Sequence, residues 1–84
     1  MRYCLITFRS VTPAQRGESC LRKAGITCNL QRTPRWMEEQ GCGYSLRVSG
    51  ADAARCAQLL RRDSIPFRKV YLYRENGTAE ELSV

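Results

Sequence analysis

An α+β sandwich with the element order βαββαβ is the fold that this sequence of 84 residues predicts. Three observations predict it. Four segments carry the β-branched, aromatic or alternating apolar residues that are typical of strands. Two further segments repeat apolar residues at helical spacing. Glycine, proline and polar turn residues separate these segments, so one small domain accounts for the chain.

The first strand and the first helix occupy the N-terminal third of the chain. Tyr3 to Phe8 is apolar on both faces, as in a central strand. Thr12 is predicted to cap the following helix, Pro13 to be its first residue, and Gly25 to end it. The apolar residues that recur at helical spacing between these points are Ala14, Gly17, Leu21 and Ala24.

Two strands follow, on either side of an irregular segment. Ile26 to Gln31 predicts the second strand, with alternate residues on one buried face. Arg32 to Gly43 shows no periodicity and is predicted to be a loop. Tyr44 to Val48 alternates apolar with polar residues and predicts the third strand.

The second helix and the last strand complete the pattern. Ser49-Gly50-Ala51-Asp52 resembles a helix cap, and Asp63-Ser64-Ile65-Pro66 is predicted to be a turn. Phe67 to Tyr73 predicts the fourth strand. The predicted buried stripe of the second helix consists of Ala53, Cys56, Ala57, Leu59 and Leu60.

This element order corresponds to two split βαβ units. It predicts a ferredoxin-like sandwich with an antiparallel sheet in the order 4-1-3-2 and two helices on one face. Residues 1–74 are predicted to form this single domain, and residues 75–84 an acidic, flexible tail. In this topology the C-terminal ends of the first two strands lie at the same end of the sheet, which places the helix start near Thr12 close to the loop that carries Cys42.

Composition narrows the class of protein. The net charge is +6, which indicates either an anionic partner or a solvated arginine-rich surface. The N-terminal apolar run is too short for a signal peptide or a membrane span, so a cytoplasmic protein without a membrane partner is expected. Histidine is absent, which excludes Cys-His and Ser-His catalysis and imidazole zinc sites. The five cysteines match neither a zinc spacing nor a disulfide framework, so no metal and no cofactor are expected.

Cys42 lies between Gly41 and Gly43 in the irregular segment and has two interpretations. It is either a spectator thiol or a reactive one. If it is reactive, the nearby positive charges of Arg9 and Arg35, together with the helix start, favour the thiolate and lower its pKa below that of free cysteine. The other cysteines are predicted to fill the core, and these are Cys4, Cys20, Cys28 and Cys56.

Two further features of the chain keep alternatives open. Thr33-Pro34-Arg35 either ends the second strand or directs Arg35 at a ligand anion. Trp36 and Met37 either pack the loop onto the sheet or contact a partner. Tyr71 and Tyr73 are able to stack bases, but the third strand lacks the aromatic run of RNA-binding sheets, which argues against nucleic-acid binding.

The chain resembles a family of small bacterial domains described as "putative Se/S carrier protein-like". The resemblance rests on the first strand, on Ala24-Gly25-Ile26, and on Thr33-Pro34-Arg35 followed by Cys42-Gly43. It implies a carrier rather than an enzyme, with protein donors and acceptors of sulfur or selenium. It further implies that Cys42 holds a persulfide or perselenide, flanked by the binding motif Thr33, Pro34, Arg35 and Gly43.

The competing function is a binding module without catalysis. A domain of this architecture is able to regulate an enzyme, or to form a homodimer through an exposed sheet edge. Such a module would tolerate the loss of Cys42, whereas a carrier would not.

Overall fold

The protein has an α+β fold, with two α-helices and a five-stranded antiparallel sheet in the part of the chain that the structure describes. The structure is a computed structural model and describes residues 2–33, 43–73 and 78–83. The helices are α1 (Val11–Lys23) and α2 (Ala53–Arg62), the second preceded by a 3₁₀ turn at Gly50–Asp52. The strands are β1 (Tyr3–Phe8), β2 (Cys28–Arg32), β3 (Tyr44–Ser49), β4 (Val70–Tyr73) and β5 (Ala79–Leu82).

The strand order is β2-β3-β1-β4-β5, and the predicted order 4-1-3-2 is this order read from the other edge without β5. The difference is a fifth strand, which pairs with β4 from Val70↔Leu82 to Tyr73↔Ala79. This strand lies in the segment predicted to be a tail. Its two central glutamates conceal the strand pattern in the sequence, while Leu82 packs against the core and Glu81 forms an ion pair of 3.5 Å with Lys69.

One hydrophobic core joins the sheet to both helices. Alternate residues of β1, from Cys4 to Phe8, form its sheet side. Gly17 of α1 lies over them, and a Cβ atom built on it would be 3.0 Å from Phe8 Cζ and 3.3 Å from Leu60 Cδ2. Four residues of the predicted stripe of α2 are buried as expected, Ala53, Cys56, Ala57 and Leu60, and the fifth, Leu59, is partly buried against the core.

The ends of α1 follow local chemistry. The helix begins at Val11 with Ser10 as its cap, so the prediction of Thr12 as the cap is wrong. Pro13 is the third residue of the helix and not the first as predicted, but it still lies in the first turn, where backbone N–H groups have no partner within the helix and proline removes no hydrogen bond. The predicted end is confirmed, because Gly25 has a φ of +80° and donates its N–H to the Arg22 carbonyl at 3.0 Å.

Two strands are shifted or shortened relative to their predicted bounds. Ile26 is not part of β2, because its N–H donates to the Leu21 carbonyl at the end of α1. At the start of β4, Arg68 donates its N–H to the Thr7 carbonyl while Lys69 accepts from the Thr7 N–H, both at 2.8 Å. Arg68 and Lys69 thus both lie opposite Thr7, as in a β-bulge, and this interrupts the regular ladder before Val70.

Candidate functional site

Three chain segments meet at one end of the sheet. Tyr44, the first residue of β3, pairs with Phe8 on one side and with Arg32 on the other. The neighbouring residues beyond these pairs are Arg9, Gly43 and Thr33. This register confirms that β1 and β2 end at the same end of the sheet, and it places the start of α1 at the end where Thr33 and Gly43 lie.

Thr33 and Gly43 are bound directly to each other. The Thr33 N–H donates to the Gly43 carbonyl at 3.0 Å, which extends the β2–β3 ladder by one step. The Thr33 hydroxyl lies 2.7 Å from the hydroxyl of Ser45, a residue that is 0% exposed. Gly43 is buried as well. Thr33 and Gly43, which flank residues 34–42 in the sequence, are therefore bound to each other within the sheet; we call this pair the loop base.

The predicted site residues are only partly within the described structure. Thr33 and Gly43 lie together at the loop base. Arg9 and Thr12 are both exposed near the start of α1. The remaining predicted site residues, together with Trp36 and Met37, lie outside the described residues; they are Pro34, Arg35 and Cys42.

The start of α1 opens onto a cavity of about 340 Å³. Arg9 and Arg68 contribute positive charge to its lining, and Ser10 and Pro13 contribute the helix end. The first turn holds no acidic residue, and the Ser10 side chain makes no capping hydrogen bond. Since a helix N-terminus carries partial positive charge, this end of the molecule is suited to an anionic group. Sequence reasoning missed Ser10 and Arg68, although a serine just before the first helical residue was an available signal.

The four described cysteines are chemically quiet. Their side chains are 0 to 7% exposed, which confirms the prediction that they fill the core. Burial raises the pKa of each thiol, and that of Cys56 rises to about 12. At neutral pH these groups are therefore protonated and poorly nucleophilic.

Cys20 differs from the other three in its surroundings. Its Sγ donates to Asp63 Oδ2 at 3.1 Å, and this bond, after burial, is the next cause of its raised pKa. It lines a cavity of about 480 Å³ together with Arg16, Lys23 and Arg62. The arrangement holds the proton on the thiol. Across residues 2–33, 43–73 and 78–83, no group of three or more Cys, Asp or Glu side chains is placed to hold a metal ion.

The fold is that of a small α+β protein, and the one cysteine beyond the described residues, Cys42, lies in the sequence between the two residues of the loop base. Residues 3–72 match the family described as "putative Se/S carrier protein-like", and this chain belongs to that family. Comparison with curated proteins and with solved structures found no match. Neither of the two described α-helices has the length and apolar character that crossing a membrane requires.

Proposed function

We propose that this protein is a sulfur or selenium carrier that holds the atom on Cys42 as a persulfide or perselenide and passes it to a partner protein. Family membership supports the carrier role. The observation that supports Cys42 is elimination: four of the five cysteines are buried thiols with raised pKa values. Cys42 is the remaining candidate for a nucleophilic sulfur.

The proposed reaction is a thiol exchange that needs no external oxidant. The Cys42 thiolate attacks the terminal sulfur of a donor persulfide, and the donor's S–S bond breaks as the new S–S bond forms. The donor leaves as a thiolate, and Cys42 carries the transferred atom. An acceptor nucleophile then attacks that outer atom and restores the Cys42 thiolate. Selenium follows the same path, with one S–Se bond replacing another.

The residues around the loop base have proposed roles in this reaction. Thr33 and Gly43 fix the two ends of the reactive segment, and Pro34 restricts the backbone at its start. Arg35 and Arg9 supply positive charge that favours the Cys42 thiolate and its anionic adduct. Thr12 lies in the first turn of α1, where the helix dipole adds to the same effect.

The proposal also covers the setting in which the carrier works. Donor and acceptor are proteins that dock beside the loop base, and a homodimer through a sheet edge is part of the proposal. We place the protein in the bacterial cytoplasm, acting without a cofactor and as a carrier rather than a true enzyme. We further infer that residues 1–74 form a ferredoxin-like βαββαβ unit. Residues 75–84 contribute the additional strand β5 to its sheet.

Sulfur loading of two matched variants tests the proposal. The reduced protein is incubated with a persulfide-generating cysteine desulfurase, and its intact mass is then measured. We expect a gain of one sulfur atom in the parent and in Cys28→Ser, which removes a buried thiol, and no gain in Cys42→Ser. Equal gains in Cys42→Ser and the parent, or no gain in either, would contradict the proposal and favour a binding module.

A further inference from the structure

The face of the sheet opposite the helices is polar and aromatic; we call it the open face. Three of its members toward the loop base, Thr7, Ser45 and the aliphatic Leu5, are 0 to 6% exposed, so the accessible part of this face is its other end. On β1 to β4 this face contains no aspartate and no glutamate, and Arg47 is exposed upon it. On β5 the register adds Glu81, which forms an ion pair of 3.5 Å with Lys69. The cross-strand register places the following residues on it: Tyr3, Leu5, Thr7, Asn29, Gln31, Ser45, Arg47, Ser49, Tyr71 and Tyr73.

Three planar groups lie in a row across this face. Tyr3 of β1 and Tyr73 of β4 are direct partners, and their rings stack with centroids 5.1 Å apart and planes 8° apart. Arg47 of β3 covers the other side of the Tyr3 ring, with its Cζ 3.9 Å from the ring centroid. The row brings a guanidinium and two aromatic rings into one continuous stack over β3, β1 and β4.

A cavity of about 530 Å³ adjoins the arginine end of this row. Arg2 and Arg47 provide two cations in its lining, and Asn29 and Ser49 provide an amide and a hydroxyl. Asp52 is the one carboxylate among the described residues that line it. Cations for phosphate, neutral donors and acceptors for base edges and sugar hydroxyls, and planar groups for stacking are the components of a single-strand binding surface.

We propose that the open face binds single-stranded nucleic acid, with a base extending the Arg47–Tyr3–Tyr73 row and phosphates near Arg2 and Arg47. Charge complementarity selects this occupant, because the chain carries a net charge of +6 and the one described carboxylate on this face, Glu81 of β5, is paired with Lys69. An acidic protein is less suited, since the centre of a protein interface buries apolar side chains and Leu5 is already covered. The proposal does not rest on Cys42.

The structure also gives the reason why the sequence argued against this function. The expected aromatic run on the third strand is missing, and β3 instead carries Arg47. A guanidinium plane stacks on bases as an aromatic ring does. The aromatic residues come from the neighbouring strands, as Tyr3 on β1 and Tyr73 on β4, so the surface is assembled only when the sheet forms.

Fluorescence anisotropy with labelled single-stranded RNA and DNA oligonucleotides of mixed sequence tests the proposal on the full chain. Arg47→Gln is expected to weaken binding by about tenfold, the effect of losing one stacking contact. Arg47→Lys, which keeps the charge but not the plane, is expected to lose most of the same affinity. The matched control Arg55→Gln removes an exposed arginine from α2 and is expected to change affinity by less than about threefold.

Tighter binding of RNA than of DNA would indicate contacts to the 2′-hydroxyl, and equal binding would indicate recognition of bases and phosphates alone; both results support the proposal.

Three outcomes would overturn it. The first is no binding to either oligonucleotide at low salt. The second is equal weakening by Arg47→Gln and Arg55→Gln, or full affinity in Arg47→Lys, because each indicates charge attraction without stacking. The third is that polyglutamate displaces the oligonucleotide as well as an unlabelled copy does, which would indicate an acidic protein partner. Arg47 is exposed, so its variants are expected to fold, and their thermal midpoints are compared with the parent.

Discussion

Treatment of the folded protein with iodoacetamide near neutral pH is expected to modify Cys42 alone. The four described thiols are 0 to 7% exposed, and reaction at them requires opening of the core. Because unfolded populations are about 10⁻³ or less, these thiols are expected to react at least about 1,000-fold more slowly than in guanidinium. Intact mass after a timed quench measures the number of adducts, and peptide mapping locates them.

The pH dependence of this reaction has a defined sign. A thiol with a raised pKa stays protonated to higher pH, so the buried groups remain unreactive as pH rises, and Cys56 does so up to about pH 12 while the fold persists. Cys42 is expected to show the opposite shift, with a rate midpoint below about 8.5, the value of free cysteine. Cys42→Ser removes the fast adduct, and Cys28→Ser keeps it. A midpoint at or above that value, or two fast adducts, would contradict the assignment.

Phe8→Ala is expected to have the largest effect on stability. Phe8 is 0% exposed and lies beneath Gly17 at the contact between sheet and α1. Loss of a buried phenylalanine costs about 3–5 kcal/mol, which is a large part of the about 5–15 kcal/mol that stabilises a domain. The midpoint of urea denaturation measures this loss. Phe67→Ala is the matched control, because Phe67 is only partly buried, and its loss is expected to be smaller.

The contact with Gly17 provides a second test of this packing. A methyl group on Gly17 would meet Phe8 Cζ at 3.0 Å, although alanine favours the helix by about 1 kcal/mol. Gly17→Ala should therefore be more favourable in a Phe8→Leu background than in the parent, with a coupling energy of at least about 0.5 kcal/mol. Independent effects of the two substitutions would show that the close approach is unimportant.

Those parts of the fold that depend on long periodic patterns were predictable from the sequence. The bounds of β1 and the buried stripe of α2 follow from residue type and spacing, and Gly25 ends α1 because a left-handed residue is needed there. The errors in the predicted starts of β2 and β4 arise from hydrogen bonds that compete with the regular strand pairing. The Ile26 N–H donates to a carbonyl at the end of α1 rather than pairing in β2. Thr7 accepts from the Arg68 N–H through its carbonyl, and from the Lys69 N–H through its hydroxyl at 3.0 Å. No local pattern reports such bonds.

β5 and the open-face stack were missed for a related reason. Glu80 and Glu81 have low strand propensity, and Ala79–Leu82 becomes a strand by pairing with β4. Similarly, Arg47 and Tyr73 are far apart in the sequence and meet Tyr3 only through the order of the sheet. At the candidate site, the sequence predicted that β1 and β2 end at the same end of the sheet. The hydrogen bond between Thr33 and Ser45 was not predictable, because it depends on the register between β2 and β3.

A carrier must release the atom that it accepts, so the most direct test follows one sulfur through both steps. The protein is loaded by the desulfurase, separated from it, and mixed with an excess of a small thiol while its intact mass is recorded. We predict that the loaded protein loses one sulfur, that the small thiol becomes a persulfide, and that Cys42 regains its reactivity toward iodoacetamide. Retention of the added sulfur, or its release from a residue other than Cys42, would contradict the proposed function.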